Sequence, residues 1–243
     1  MKEVIMEGFL MHVDGKETTR EQLDLIPLPE ESDTYKPVSH YHLANKLLTI
    51  SQVVLKDYLI VGEHYGLARS GNQMFSYFKF QKEAGDMALS LAFRNSYDRS
   101  MSIGLAVGAS VFVCDNLALQ GEIVVMKKHT KNVWLALENT CIQTLYRSQD
   151  CFARIVEDAA MMKQRELDDP EAFKIMGLLY GRDIISPRQL TVVKDEWLRP
   201  SHDEFRPRNL WSLYNACTEA LKSCPPLSVM ERHVQLHHTL IRL

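Results

Sequence analysis

The chain has 243 residues, 46% of them hydrophobic, with 28 basic side chains against 31 acidic ones. That length and apolar content suffice for one sizeable core, and the near-cancelling charge argues against a protein drawn to nucleic acid or anionic lipid by bulk electrostatics. The cysteines, Cys114, Cys141, Cys151, Cys217 and Cys224, are five in number and include no CxxC pair, so neither a disulfide framework nor a zinc ribbon is indicated and a cytoplasmic setting is expected. With no leader pattern near Met1 and no apolar run of roughly 20 residues, secretion and membrane insertion are not expected.

Residues 1–38 read as an acidic arm marked by Pro27, Pro29 and Pro37, with one short apolar patch at 4–13. Nine acidic residues stand against three basic ones up to Asp33, a local charge of −6 that leaves +3 on the rest. Residues 39–243 read as a single domain. Ser39 is placed to cap a helix whose Leu43, Leu47 and Ile50 recur at three and four. Next comes "DYLIVGEHYGLAR", then the turn residues Gly71-Asn72, then "QMFSYFKFQ" with strict alternation, a pattern that predicts a hairpin. "DMALSLAFRN", "SMSIGLAVG" and "SVFVCDN" predict three further strands, separated by an NSYD turn and a GA turn, in an antiparallel sheet covered on one face.

The period then changes. Residues 130–168 lack proline and glycine, and Val133, Leu137, Cys141 and Leu145 recur at four, which predicts one long amphipathic helix able to pack on the sheet or on a second copy of the chain. Asp169-Pro170 and Gly181 bracket another helix, Pro187 opens one over residues 186–197, and "RPSHDEFRPRN" is a loop before the helix "LWSLYNACTEALK". Sheet first and helices second makes the fold class α+β rather than alternating βαβ.

Two polar knots interrupt this apolar pattern. Arg94-Asn95-Ser96-Tyr97-Asp98-Arg99-Ser100 is richer than a minimal turn needs. Its two arginines around hydroxyls, an amide and a carboxylate either hold a phosphate or lock the loop through Arg–Asp pairs. Cys114-Asp115-Asn116 ends an apolar strand, where a small buried cysteine and a chain turn are the plainer reading than a nucleophile or a metal. Asn215 and Glu219, four apart on the last predicted helix, would bond a neighbouring loop, with the NSYDRS loop the natural partner. His233 and His237 are also four apart, but no HExxH order or completing ligand accompanies them, so they read as a solvated tail pair and no metal or cofactor is expected. Phosphate-binding, dinucleotide-binding and GxSxG signatures are absent from the sequence.

Taken together, "EHYGLARSGNQMFSYFKF", "FRNSYDRSMSIGLAVGASVFVCDNL" and "LWSLYNACTEALK" resemble the uncharacterised phage/plasmid-like proteins grouped as domain of unknown function 932, over about residues 38–222. The family's first motif runs Gly-Leu-Ser-Arg-(Asp)-Gly. Here Ala68 replaces the serine and no aspartate precedes Gly71, so no role is assigned to a hydroxyl there. The resemblance implies a cytoplasmic protein of phages, prophages and plasmids, often encoded near replication, recombination or defence genes, and it supplies no catalytic mechanism. It also implies a polar site defined by Asn95, Ser96, Asp98, Ser100, Cys114, Asn116, Asn215, Thr218 and Glu219.

The leading functional expectation is a non-enzymatic mobile-element protein associated with single- or double-stranded DNA. Arg69, Lys79, Arg94, Arg99, Lys127 and Lys128 would contact phosphates in a site shared with Asn95, Ser96, Asp98 and Ser100, and Tyr77 or Tyr97 would stack on bases. The alternatives are a protein-binding modulator of a host system, or homo-oligomer, and an enzyme on nucleotides or nucleic acid holding a divalent ion through Asp98, Asp115 and Glu219. The last alternative requires those carboxylates to converge.

Overall fold

Helix starts are set by local chemistry. Ser39 Oγ accepts from the His42 N–H, and Asp168 and Ser186 each complete a capping box with Glu171 and Gln189, with Pro170 and Pro187 in the first turns. These caps open three of the helices in a computed structural model that describes residues 16–82, 86–111, 116–119, 124–125, 133–225 and 227–243. In chain order the elements are β1 (Lys16–Thr18), α1 (Arg20–Leu23), α2 (His40–Val54), β2 (Leu59–Ala68), β3 (Gln73–Gln81), β4 (Met87–Ser96), β5 (Gly104–Val111), β6 (Leu117–Leu119) and β7 (Val124–Val125). The helices α3 (Val133–Tyr146), α4 (Ser148–Gln164), α5 (Asp169–Gly181), α6 (Pro187–Leu198), α7 (Leu210–Leu221) and α8 (Val229–Leu240) follow. The class is α+β, as expected.

The sheet is antiparallel throughout its described pairs, in the order β1-β2-β3-β4-β5-β6, with β7 also pairing with β5. Register sorts the side chains into two faces. Phe78, Leu91 and Val107 share one face and continue through Phe93 and Leu105, whereas Tyr77, Ala92 and Ala106 share the other with Phe75, Arg94 and Gly104. Both faces are covered, so β3 is buried at every position from Gln73 to Phe80. The expectation of a single covered face therefore fails along β3. On the apolar face Asn95 meets Val38 and His40 at the start of α2, and on the opposite face Arg94 meets Leu227 and Glu231 at the start of α8. Helices from both halves of the chain thus sandwich the sheet.

Three elements differ from the sequence expectation. Gly108-Ala109 is no turn, because β5 runs straight through it. A Cβ at Gly108 would come within 2.3 Å of the Ala118 carbonyl oxygen, so this glycine serves the close approach of β6. The single helix over 130–168 is two, broken at Arg147, where the Ser148 hydroxyl donates to the Leu145 carbonyl at 2.6 Å and competes with the helical ladder. Both halves bury their apolar stripes, Val133, Leu137, Cys141 and Leu145 in α3 and Cys151, Ile155, Ala159 and Met162 in α4, in the chain's own core. Finally, residues 229–240 form α8, and His233 and His237 are buried in it rather than solvated. The described part of the N-terminal arm also packs down, with β1 on β2 and Leu23, Tyr35 and Val38 in the core.

Candidate functional site

The β2–β3 and β4–β5 turns lie at the same end of the sheet, since Gln73 at the start of β3 pairs with Ser96 at the end of β4. The first turn passes through three consecutive left-handed residues, Arg69 (φ 49°), Ser70 (φ 55°) and Gly71 (φ 88°), and the second through Arg99 (φ 62°). Only the glycine adopts this conformation without penalty; each of the others costs on the order of 1 kcal/mol and persists because its surroundings hold it.

Those surroundings are specific. Tyr97 N–H donates to the Asn72 carbonyl at 2.7 Å, tying one turn to the other. Gln73 Nε2 donates to Asp98 Oδ2 at 2.9 Å and to Ser100 Oγ at 2.8 Å, and Asp98 Oδ1 accepts from the Ser100 N–H. Burial tends to raise the Asp98 carboxyl, but the hydrogen bonds from Ser100, Gln73 and Ser96 outweigh it and hold the group below the ordinary aspartate range. Ser96 closes the loop by bonding both the N–H and the carbonyl of Met101 at 3.0 Å.

A buried layer beneath bolts both turns to α2. His40 is fully buried and stacks on Tyr97 at 3.9 Å, while its backbone N–H donates to Tyr97 Oη at 2.8 Å. Asn95 Nδ2 donates to the Val38 carbonyl, which fixes the amide's orientation, and the same nitrogen lies 2.9 Å from His40 Nδ1. Nδ1 is therefore the acceptor, and Nε2 carries the proton that it donates to the Gly71 carbonyl at 3.0 Å. The turns are presented on a neutral, hydrogen-bonded base.

On this base the candidate residues separate. Arg69, Asp98, Arg99 and Ser100 are exposed, and no acidic side chain among the described residues pairs with either arginine. The Arg99 guanidinium lies over the Tyr35 ring at 4.2 Å. Arg94 is 4% exposed, paired with Glu231 at 2.7 Å and donating to the Leu227 carbonyl, so it clamps α8 to the sheet. Asn95 and Ser96 are fully buried and hold the loop. Lys79 is buried with its ammonium 5.8 Å from the Tyr77 ring centre, and Tyr77 and Tyr97 are themselves buried, so neither tyrosine offers a face for a base.

Asn116, the described residue of the second knot, is elsewhere. Asn116, bonded through its carbonyl to the Val111 N–H, sits at the far end of the β4–β5 pair, where Val111 faces Met87. Arg94 pairs with Gly104 at the near end, about 23 Å away at the usual strand rise. Asn215 joins Asn116, whose Nδ2 donates to the Asn215 Oδ1 at 3.2 Å and carbonyl at 3.3 Å, rather than the NSYDRS loop. Thr218 Oγ1 donates back to the Asn215 carbonyl, and Glu219 pairs with Lys222 at 2.6 Å. One helical turn from Asn215 moves Glu219 only about 6 Å, so Asp98 and Glu219 stay too far apart to share an ion. Cys114, Asp115, Lys127 and Lys128 lie outside the described residues.

Sequence reasoning missed His40, Tyr35 and Gln73, which organise the site from outside its motif. A polar His40 at the head of an apolar helix was the visible signal. The buried thiols offer no nucleophile: burial pushes Cys141 up to about 12 and raises Cys151, Cys217 and Cys224 as well.

The profile of the family described as domain of unknown function (DUF932) matches residues 27–239, nearly the whole chain. The protein belongs to that family. No curated protein and no solved structure matches it.

Proposed function

We propose that this DUF932 protein is a non-enzymatic accessory factor of a phage, prophage or plasmid that acts in the cytoplasm and contacts nucleic-acid phosphates through Arg69 and Arg99. The observation that carries the reading is the pair of exposed arginines, both on left-handed backbone, at one end of the sheet on cross-linked turns. A planar guanidinium offers a phosphate two parallel N–H donors, and a fixed backbone lowers the entropy lost on binding. The motifs shared with phage/plasmid-like sequences favour the mobile-element setting, and the four buried cysteines, with no disulfide among the described residues, fit a reducing compartment.

The overall charge of −3 makes this a local contact rather than a polyanion track. Two phosphate contacts give a log–log salt slope of about −1.8 on duplex DNA, or about tenfold weaker binding between 50 and 200 mM salt. Fluorescence anisotropy with labelled single- and double-stranded oligonucleotides measures that slope. The double variant R69G/R99G should lose binding with stability unchanged within about 0.5 kcal/mol, since glycine accepts both backbone conformations. Absence of binding at low salt would refute the proposal, and a slope twice as steep would bring in further cations such as Lys127 and Lys128.

A further inference from the structure

Arg69 and Arg99 are both exposed, but the two turns hold them differently. The Arg99 guanidinium lies over the Tyr35 ring at 4.2 Å, and Arg69 has no such contact among the described residues. Tyr35 is only 5% exposed and belongs to the N-terminal arm, 62 positions before the Tyr97 carbonyl that its hydroxyl reaches.

The ring is fixed at both ends. Its backbone exchanges two hydrogen bonds with Ser32, at 3.2 and 2.9 Å, which close a tight turn over residues 32–35, and an ion pair between Glu31 and Lys36 flanks that turn. At the other end Tyr35 Oη donates to the Tyr97 carbonyl at 3.2 Å, inside the loop that carries Arg99. Tyr97 itself stacks on His40 and donates to the Asn72 carbonyl, so the ring is anchored in the same buried layer as the turns. An exposed arginine loses rotamer freedom when it binds. A guanidinium resting on a ring has given up part of that freedom beforehand, and the stack occupies its π face while leaving its N–H edge to an acceptor.

We propose, on the reading of Arg69 and Arg99 as phosphate contacts, that Tyr35 is a positioning residue for that site. It holds the Arg99 guanidinium ready for a phosphodiester oxygen pair, which makes the arm around residues 32–35 part of the nucleic-acid site. Arg99 then works through a fixed planar group as well as through its charge.

Anisotropy with the full chain and a labelled duplex tests this. Tyr35→Leu should weaken binding about three- to tenfold while the log–log salt slope stays at about −1.8, since both charges remain. Tyr35→Phe keeps the ring and should bind within about twofold of the native chain. Added to Arg99→Gly, Tyr35→Leu should cost nothing further; added to Arg69→Gly, it should cost its full effect, because the ring serves one arginine. Should leucine lower the melting temperature, Arg99→Lys on its exposed turn is the second variant: it keeps the charge and the slope but lacks the planar group, so affinity should fall by about the same factor. Full affinity in either folded variant, or equal coupling of Tyr35 to both arginines, would overturn the role of Tyr35 and leave the phosphate contacts standing. No binding by the native chain at low salt would overturn both.

Discussion

Arg94 and Arg99 belong to one heptapeptide and have opposite surroundings. Arg94 is inside β4 on the face shared with Phe75 and Gly104, where a Cβ at Gly104 would crowd its Nε at 3.1 Å, so the glycine makes room for the buried guanidinium. Arg99 sits past the strand on an exposed left-handed turn. Arg94→Ala should cost about 2 kcal/mol, less than a fully buried pair because Glu231 is part-exposed, and Arg99→Ala should change stability little. Urea denaturation of the two single variants reads this contrast directly. Both arginines were visible as a bracketing pair, but which one is a clamp depends on pairing register with β3 and β5, and a turn motif alone does not encode register.

Apolar periodicity carried most of the elements, and its failures share a cause. The Gly108-Ala109 step has turn chemistry, yet the constraint on it comes from β6 crossing close by. Gly108→Ala should therefore destabilise by about 3 kcal/mol, seen as a lower urea midpoint with an unchanged slope. The break at Arg147 coincides with a serine hydroxyl donating to a backbone carbonyl, a bond with no signature in period or composition. α8 was legible in principle: Val229, Met230, His233, Leu236, His237 and Leu240 form a buried stripe once the histidines are counted with the core. Reading them as polar hid the helix.

Across the whole molecule, α8 joins the two ends of the sheet. It starts at the Arg94 clamp, and its later residues bond Asp158 of α4, with His237 Nε2 2.9 Å from the carboxylate. Burial pushes His233 down to about 4, against a bond with the Leu117 backbone, and lowers His237 despite the opposing pull of Asp158. With folded-state values below the ordinary 6.5, the unfolded chain takes up protons first as the pH falls. The stability these groups contribute is present above pH 6.5 and is lost toward pH 4, with His233 responsible for about 3 kcal/mol of the loss. Melting temperatures across that range should fall for the native chain, and His233→Gln should flatten the profile. If the variant keeps the same pH slope, His233 is not the titrating group.

The sequence by itself determined the α+β class, the Ser39 cap, the proline-marked starts of α5 and α6, the β2–β3 hairpin and the membership of one family, because each rests on local periodicity, cap chemistry or ordered motifs. Only the tertiary structure decided that the Arg94–Ser100 loop and Asn116 stand at opposite ends of one strand pair, that Asp98 and Glu219 cannot share an ion, and that His40 and Asn95 hold the arginine-bearing turns in place. Those facts depend on strand register and on contacts between residues more than fifty positions apart, where the free energy comes from burial and hydrogen bonding in the assembled core rather than from any local pattern.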